Sequence, residues 1–352
     1  MNLLEKDKGI QIQSILLKWY KKNKRDLPWR LLEKNNLPNP YYILVSEYML
    51  QQTTVGTVKR RFEEFVIKWP TIDALSVISN TSILSFWSGL GYYSRATNLL
   101  KAAKLIKKNY KSQIPVNYED LITLPGIGDY TAKAILGIAY NKPFMPLDAN
   151  IERILARIYG IKTPLIKIKS KLKDKSNLFI SKNSSTNLIQ AFMDYGSVIC
   201  TPRNPNCNLC FVKSNCESYK KNLQNIIPVK IKKKLNIKKY SRAYIFLNEK
   251  NEILVRKRSS KGMLASMLEV PNDNWVINKN KLKQDKIVNK IKNKMYSKGS
   301  IEYSFSHFDL ETEVFLSKVR RDIFKDVKWL KRKNINKSSL PTVMKKILDV
   351  VF

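Results

Sequence analysis

Through the first two thirds of the chain, apolar residues recur three and four positions apart. The segments ILLKWYKK, RRFEEFVIKW and RATNLLKAAKLIKK all carry this spacing, which predicts amphipathic helices with one face turned to a core. Short turns punctuate them: WPTID near 70, SNTS near 80, PVN near 116 and PGIG near 126. Residues 1–217 therefore read as one helical domain. Beyond Cys216 the pattern changes. Residues 218–239, with the basic stretch PVKIKKKLNIKK, have little periodicity and read as an interdomain linker. YSRAYIFL (240–247), EILVRKR (252–258) and LETEVFL (310–316) are short and rich in β-formers, and read as strands. KLKQDKIVNKIKNKM (281–295) reads as a basic helix between them. Residues 240–352 thus form a smaller α+β domain.

The chain's 352 residues leave room for two cores. Its 65 Lys and Arg against 28 Asp and Glu give a net charge of +37. Part of that is a solvated, lysine-coated surface, but a polyanion is the partner such a charge fits, nucleic acid ahead of an anionic membrane. No apolar run approaches the length of a bilayer span, and the N-terminal MNLLEKDKGI lacks a signal-peptide core. The expectation is a soluble, intracellular (cytoplasmic) monomer with no membrane association.

All four cysteines, Cys200, Cys207, Cys210 and Cys216, fall within residues 200–216 with the spacing C-x6-C-x2-C-x5-C. Four thiolates in so short a loop can wrap one metal centre, either zinc or an iron–sulfur cluster. Only one interval is C-x2-C, so the loop does not read as paired zinc knuckles, and one [4Fe-4S] cluster is the first reading. Bound metal would staple a basic loop, with Arg203 and Lys213 inside it, onto the helical body.

LPGIGDYTAKAI (124–135) reads as the turn and second helix of a helix-hairpin-helix at 117–139, with Asn117 capping the first helix. Gly126 and Gly128 would let a phosphate approach the backbone, whose N–H groups point at it, with Lys133 a further phosphate contact. An ordinary αα-hairpin is the bland alternative. Two carboxylates follow. Glu47 sits in a stretch without another charge from Tyr41 to Val58, so burial should raise its pKa and fit it for proton donation. Asp148 precedes a helix whose apolar face is Ile151, Ile154, Leu155 and Ile158, where aspartate serves equally well as an N-cap.

SEYMLQQT, WSGLGYYSRATNL, LPGIGDYTA, PLDANIERILAR and the cysteine loop, in that order, resemble the helix-hairpin-helix DNA glycosylases over roughly residues 20–217. More closely they resemble the adenine DNA glycosylases that remove adenine mispaired with 8-oxoguanine. The resemblance implies a mainly α glycosylase body with an iron–sulfur cluster loop, followed by a Nudix-like α+β domain. It implies double-stranded DNA carrying A·8-oxoguanine or A·G as partner, within the nucleoid if the source is bacterial. Glu47 then matches the general acid and Asp148 the carboxylate that stabilises the sugar cation or adds to it, with Asn150 in the same site. Arg25, Leu27, Trp29 and Arg30 match walls of the adenine pocket and Gln190 a base contact. Gln52 and Tyr92 match residues that enter the stack as adenine is flipped out.

Tyr130 stands where the sister glycosylase/lyases carry a Schiff-base lysine. Tyrosine cannot form an imine, so the resemblance implies a monofunctional enzyme that leaves an abasic site. In the C-terminal part, Ser306 and His307 of SFSHFDLETEV resemble a loop that recognises 8-oxoguanine. GMLASMLEVP (262–271) resembles a Nudix segment, but no glutamate cluster follows Glu269, which implies a recognition domain rather than a pyrophosphatase. Leu264 and Ala149 depart from the tryptophan and glycine of some relatives. Within enzymes the runner-up is an oxidised-pyrimidine glycosylase/lyase, against which Tyr130 and the extra domain argue; the reading from a different class is a DNA-binding iron–sulfur protein without enzymatic activity.

Overall fold

The computed structural model describes residues 3–181, 183–229, 236–291, 294–324 and 327–352. In chain order its helices are α1 (Leu3–Asn23), α2 (Pro40–Leu50), α3 (Val55–Lys68), α4 (Ile72–Ser76), α5 (Asn80–Phe86), α6 (Ser94–Tyr110), α7 (Tyr118–Thr123), α8 (Asp129–Ala139), α9 (Ala149–Ile158), α10 (Lys169–Asn177), α11 (Ser185–Val198), α12 (Glu217–Lys220) and α13 (Thr342–Asp349). The strands are β1 (Ile237–Leu247), β2 (Ile253–Lys257), β3 (Leu268–Glu269), β4 (Tyr296–Ser304), β5 (Phe308–Lys318) and β6 (Lys328–Leu330). The helical body followed by an α+β part agrees with the reading of the sequence.

Local chemistry sets the helix starts. Asn39 Oδ1 accepts from the N–H groups of Tyr41 and Tyr42 at 2.8 and 3.2 Å, and Pro40 opens α2 with its φ already helical. Asn117 Oδ1 accepts from Asp120 N at 2.9 Å at the start of α7, the cap expected from sequence. Asp148 Oδ1 does the same for α9, accepting from Ile151 N at 2.7 Å.

By its contacts the chain divides into two compact units. One comprises residues 1–77 and 101–232, the other 78–100 and 233–352. The second therefore contains α5 and the first turns of α6, joined to the C-terminal residues by contacts such as Ser85 Oγ donating to the carbonyl of Lys337 and Lys345 Nζ donating to Ser88 Oγ at 2.9 Å. Its sheet has six strands in the order β3-β2-β1-β5-β4, with β6 on β2. β1 and β5 run parallel over their whole length and the other pairs are antiparallel. From Ala243 to Leu247 β1 buries both faces, which is why that part reads as a continuous apolar run: Ala243, Ile245 and Leu247 join one core with α13, while Tyr244 and Phe246 join a second. Glu269 on β3 is fully engaged, by Arg256 Nε at 2.8 Å, Asn272 Nδ2 at 2.8 Å and Arg258.

The expected basic helix at 281–295 is a correction. Only the short turns 279–281 and 288–290 are helical, of the 3-10 type, and residues 292 and 293 lie outside the described residues. Asp285 explains the difference. It accepts from both terminal nitrogens of Arg256, and its own N–H donates to Asp273 Oδ1 at 3.0 Å, which fixes the backbone along the sheet. Of the expected linker at 218–239, residues 230–235 lie outside the described residues; α12 opens its described part and β1 closes it.

Candidate active site

α2 is buried over most of its length, and Glu47 is carried inside with it at 6 % exposure. Its neighbour Tyr48 donates its hydroxyl to the carbonyl of Pro125, tying α2 to the glycine turn between α7 and α8. That turn has Gly126 at φ +85°, a left-handed position suited to glycine. The first residues of α8 then bring Tyr130 onto Glu47. At the start of α9, the capping Asp148 turns its second oxygen, Oδ2, to accept from Asn150 Nδ2 at 2.7 Å.

These side chains converge on one cavity of about 650 Å³. Glu47, Tyr130, Asp148 and Asn150 line it, and so do Arg25, Leu27, Trp29, Arg30, Gln52 and Gln190. Ten candidates separated by up to 165 positions in sequence thus share a wall. Tyr92, Ser306 and His307 are not among the lining residues. Ser306 and His307 are exposed at the tip between β4 and β5, where the Tyr92 and Ser306 hydroxyls lie 2.6 Å apart. Gly126 and Gly128 are exposed, and Lys133 Nζ pairs with Asp129 at 2.7 Å.

The two acids sit in different fields. Burial pushes Glu47 up from 4.5 to about 7; a hydrogen bond from Tyr130 opposes this and the charge of Asp148 adds to it. Burial also raises Asp148, but Ile151 N–H, Asn150 and the Arg153 guanidinium pull it back. Tyr130 is held well above its ordinary value by burial and by the charges of both acids, so it remains a donor. Glu47 receives a hydrogen bond from Tyr130, whereas both oxygens of Asp148 accept, from Ile151 N and Asn150 Nδ2. Two acids held in such different surroundings can combine a proton donor with an anion that faces a cation.

Behind Asp148, Arg153 donates to Asn150 Oδ1 at 2.9 Å and to the carbonyls of Gly196 and Cys200 at 2.6 and 2.8 Å. A Cβ on Gly196 would stand 2.7 Å from Asn150 Cβ, so α11 comes this close only with glycine there.

Sequence reasoning missed Asp194. Fully buried on α11, it accepts from Arg25 Nε at 2.6 Å and from Arg30 Nη1 and Nη2 at 2.7 and 2.9 Å. Burial would raise it, but Arg30 and Arg25 outweigh that and hold it below the usual carboxylate range. Its signal was the one that singled out Glu47, a lone acid in the apolar run LIQAFMDYGSVI. Gln190 is 4 % exposed; its Nε2 donates to the Thr186 carbonyl at 2.9 Å, and its Oε1 has no partner. A buried acceptor left open beside a cavity suits a ligand that brings a donor.

Cys200, Cys207, Cys210 and Cys216 line a second cavity, together with Ile154, Arg157 and Tyr195. Arg157 Nη1 lies 3.2 Å from Cys200 Sγ, and Tyr195 Oη lies 3.3 Å from Cys210 Sγ. Among the described residues no helix is long and apolar enough to cross a membrane.

Residues 45–177 match the HhH-GPD superfamily of base excision DNA repair proteins, and residues 242–350 match the NUDIX domain. Over 352 aligned residues the chain is 35 % identical to the adenine DNA glycosylase of Buchnera aphidicola subsp. Schizaphis graminum, covering 96 % of this chain and 97 % of that one. A thermostable thymine-DNA glycosylase of solved structure superimposes with a TM-score of 0.54 at 27 % identity, over 61 % of this chain and 98 % of that one. An endonuclease III–DNA complex shares the fold with a TM-score of 0.51 at 19 % identity, over 64 % of this chain and all of its own.

Proposed function

The chain belongs to the adenine DNA glycosylases, and from that premise we propose that it removes adenine opposite 8-oxoguanine or guanine in duplex DNA by hydrolysis alone. The observation that carries this reading is the buried Glu47, with a pKa of about 7, sharing one cavity with the capped Asp148. Adenine leaves the stack and enters the cavity against Leu27 and Trp29. Its exocyclic amine supplies the donor that Gln190 Oε1 lacks. Glu47 gives its proton to a ring nitrogen as the bond from N9 to C1′ breaks, and the bonding electron pair departs with the base. Asp148, with Asn150 fixing its second oxygen, stabilises the cation left on the sugar or adds to it; water then bonds to C1′, giving its proton to the Glu47 carboxylate and displacing Asp148 where it has added. Withdrawal from water is what makes a carboxylic acid effective against so poor a leaving group.

The helix-hairpin-helix, with Gly126, Gly128 and Lys133, holds the DNA backbone. Gln52 lies at the rim with φ +59°, and Tyr92 is 46 % exposed with φ +46°; both are presented outward to enter the stack. Ser306 and His307 read the 8-oxoguanine. The engagement of Glu269 by Arg256, Arg258 and Asn272 fits recognition rather than pyrophosphate hydrolysis.

The four thiols suit one [4Fe-4S] cluster. The four share one cavity, and only one of their intervals is C-x2-C, which sets the loop apart from paired zinc knuckles. Donation from Arg157 and Tyr195 to sulfur is the environment a thiolate-held cluster takes. Bound there, the cluster would cross-link the loop 200–216 at four points, against a wall that includes Ile154 and Arg157 of α9 and Tyr195 of α11.

The test is base release from duplexes carrying each mismatch. Adenine should leave A·8-oxoguanine and A·G duplexes, the strand should break only after heat or alkali, and borohydride should trap no adduct. Prompt strand cleavage with a trapped adduct would overturn the monofunctional reading, since Tyr130 offers no amine.

A further inference from the structure

The segment from Trp87 to Arg95 holds an unusual backbone. Gly89, Gly91 and Tyr92 all have positive φ, at +97°, +68° and +46°. The two glycines adopt this freely, but at Tyr92 a side chain is forced into the left-handed region. Such a turn persists only where its surroundings over-determine it.

Arg95, in the first turn of α6, is 5 % exposed. A buried cation at the N-terminal end of a helix gains nothing from the helix dipole, which there repels positive charge. Its guanidinium donates into the turn. Nη2 donates to the carbonyls of Leu90 and Gly91 at 3.0 and 3.1 Å, and Nε donates to that of Tyr92 at 3.4 Å. The same group lies 5.6 Å from the Trp87 ring centroid and 5.5 Å from that of Tyr92. A planar fork with several fixed donors can serve three consecutive carbonyls and stack on rings at once; an ammonium cannot.

We propose that Arg95 is a positioning residue for base extrusion: its guanidinium fixes the left-handed turn from Gly89 to Tyr92, so that Tyr92 is presented ready-formed to the duplex. This rests on the reading of Tyr92 as the side chain that enters the stack. Arg95 is not among the residues that line the cavity of Glu47 and Asp148; it removes the need to order the turn during extrusion.

The experiment compares single-turnover base release from two duplexes, one with adenine opposite 8-oxoguanine and one with adenine opposite a tetrahydrofuran abasic analogue, where the adenine is already poorly held. Arg95→Met should slow the first on the order of 100-fold and leave the second close to the wild-type rate. Arg95→Lys, which keeps the charge but not the fork, should fall between, and it carries the same comparison should Arg95→Met not fold. The double variant Arg95→Met/Tyr92→Ala should be no slower than Tyr92→Ala alone. Equal slowing on both duplexes, no slowing on either, or additive losses in the double variant would each overturn the proposal. Wild-type release by Tyr92→Ala would instead overturn the reading of Tyr92 itself, and this proposal with it.

Discussion

Glu47→Gln should lower single-turnover adenine release between about 100-fold and 10,000-fold while leaving duplex affinity unchanged, and should make the folded protein more stable at alkaline pH. The amide keeps the shape and one hydrogen-bonding oxygen for Tyr130 but cannot give up a proton to the base. The stability effect follows from the same burial. The folded-state pKa is raised from 4.5 to about 7, so the folded state prefers the neutral acid. That preference contributes fully below about 4.5 and is lost as pH rises through about 7, where the ionised form costs the folded state about 3 kcal/mol. Denaturant unfolding at two pH values checks this: Glu47→Gln should exceed the wild type well above neutrality and match it in acid. A DNA-binding protein without enzymatic activity would show no loss of base release, because it would have none to lose.

Asp194→Asn should destabilise the helical unit by about 3–5 kcal/mol, because it leaves two guanidinium groups facing a buried neutral amide. The side chain of Asp194 has no exposure, and those of Arg30 and Arg25 have 10 % and 28 %. Removing one partner of such a group costs far more than the net worth of the pair. The segment that Arg25 and Arg30 anchor also carries Leu27 and Trp29, so base release should fall together with stability. Equilibrium unfolding measures the first and the single-turnover assay the second. A loss below about 1 kcal/mol would mean that the pairs behave as exposed ones do and that something else holds the wall of the cavity.

The legibility of the site in the sequence followed the range of the interactions that build it. Glu47 could be read because a single charge in an apolar helix has few places to go, and Asp148 because a cap lies three residues from the N–H it accepts. Asp194 carried the first of these signals as plainly, but its partners lie on a segment more than 160 residues away, so nothing local gave it a task. The strands β1, β2 and β5 were legible from their β-formers. β4 was not, because seven of its nine residues are exposed at the edge of the sheet, and β3 and β6 have two and three residues, too few to show a period. The segment 281–295 had lysines and isoleucines at helical intervals, and lost its helix to Asp285. The grouping of residues 78–100 with the C-terminal unit rests on contacts such as Ser85 with Lys337, for which no sequence interval gives a hint. The left-handed backbone at Gln52 and Tyr92 was equally hidden, since neither is a residue that favours it.

The most direct test of the two-acid account is the pH dependence of single-turnover adenine release from an A·8-oxoguanine duplex. The rate should fall as pH rises through about 7, as Glu47 loses its proton, and the residual rate of Glu47→Gln should show no such step. A wild-type rate that stays level from roughly pH 6 to 9, or a step of the same size in Glu47→Gln, would contradict the account.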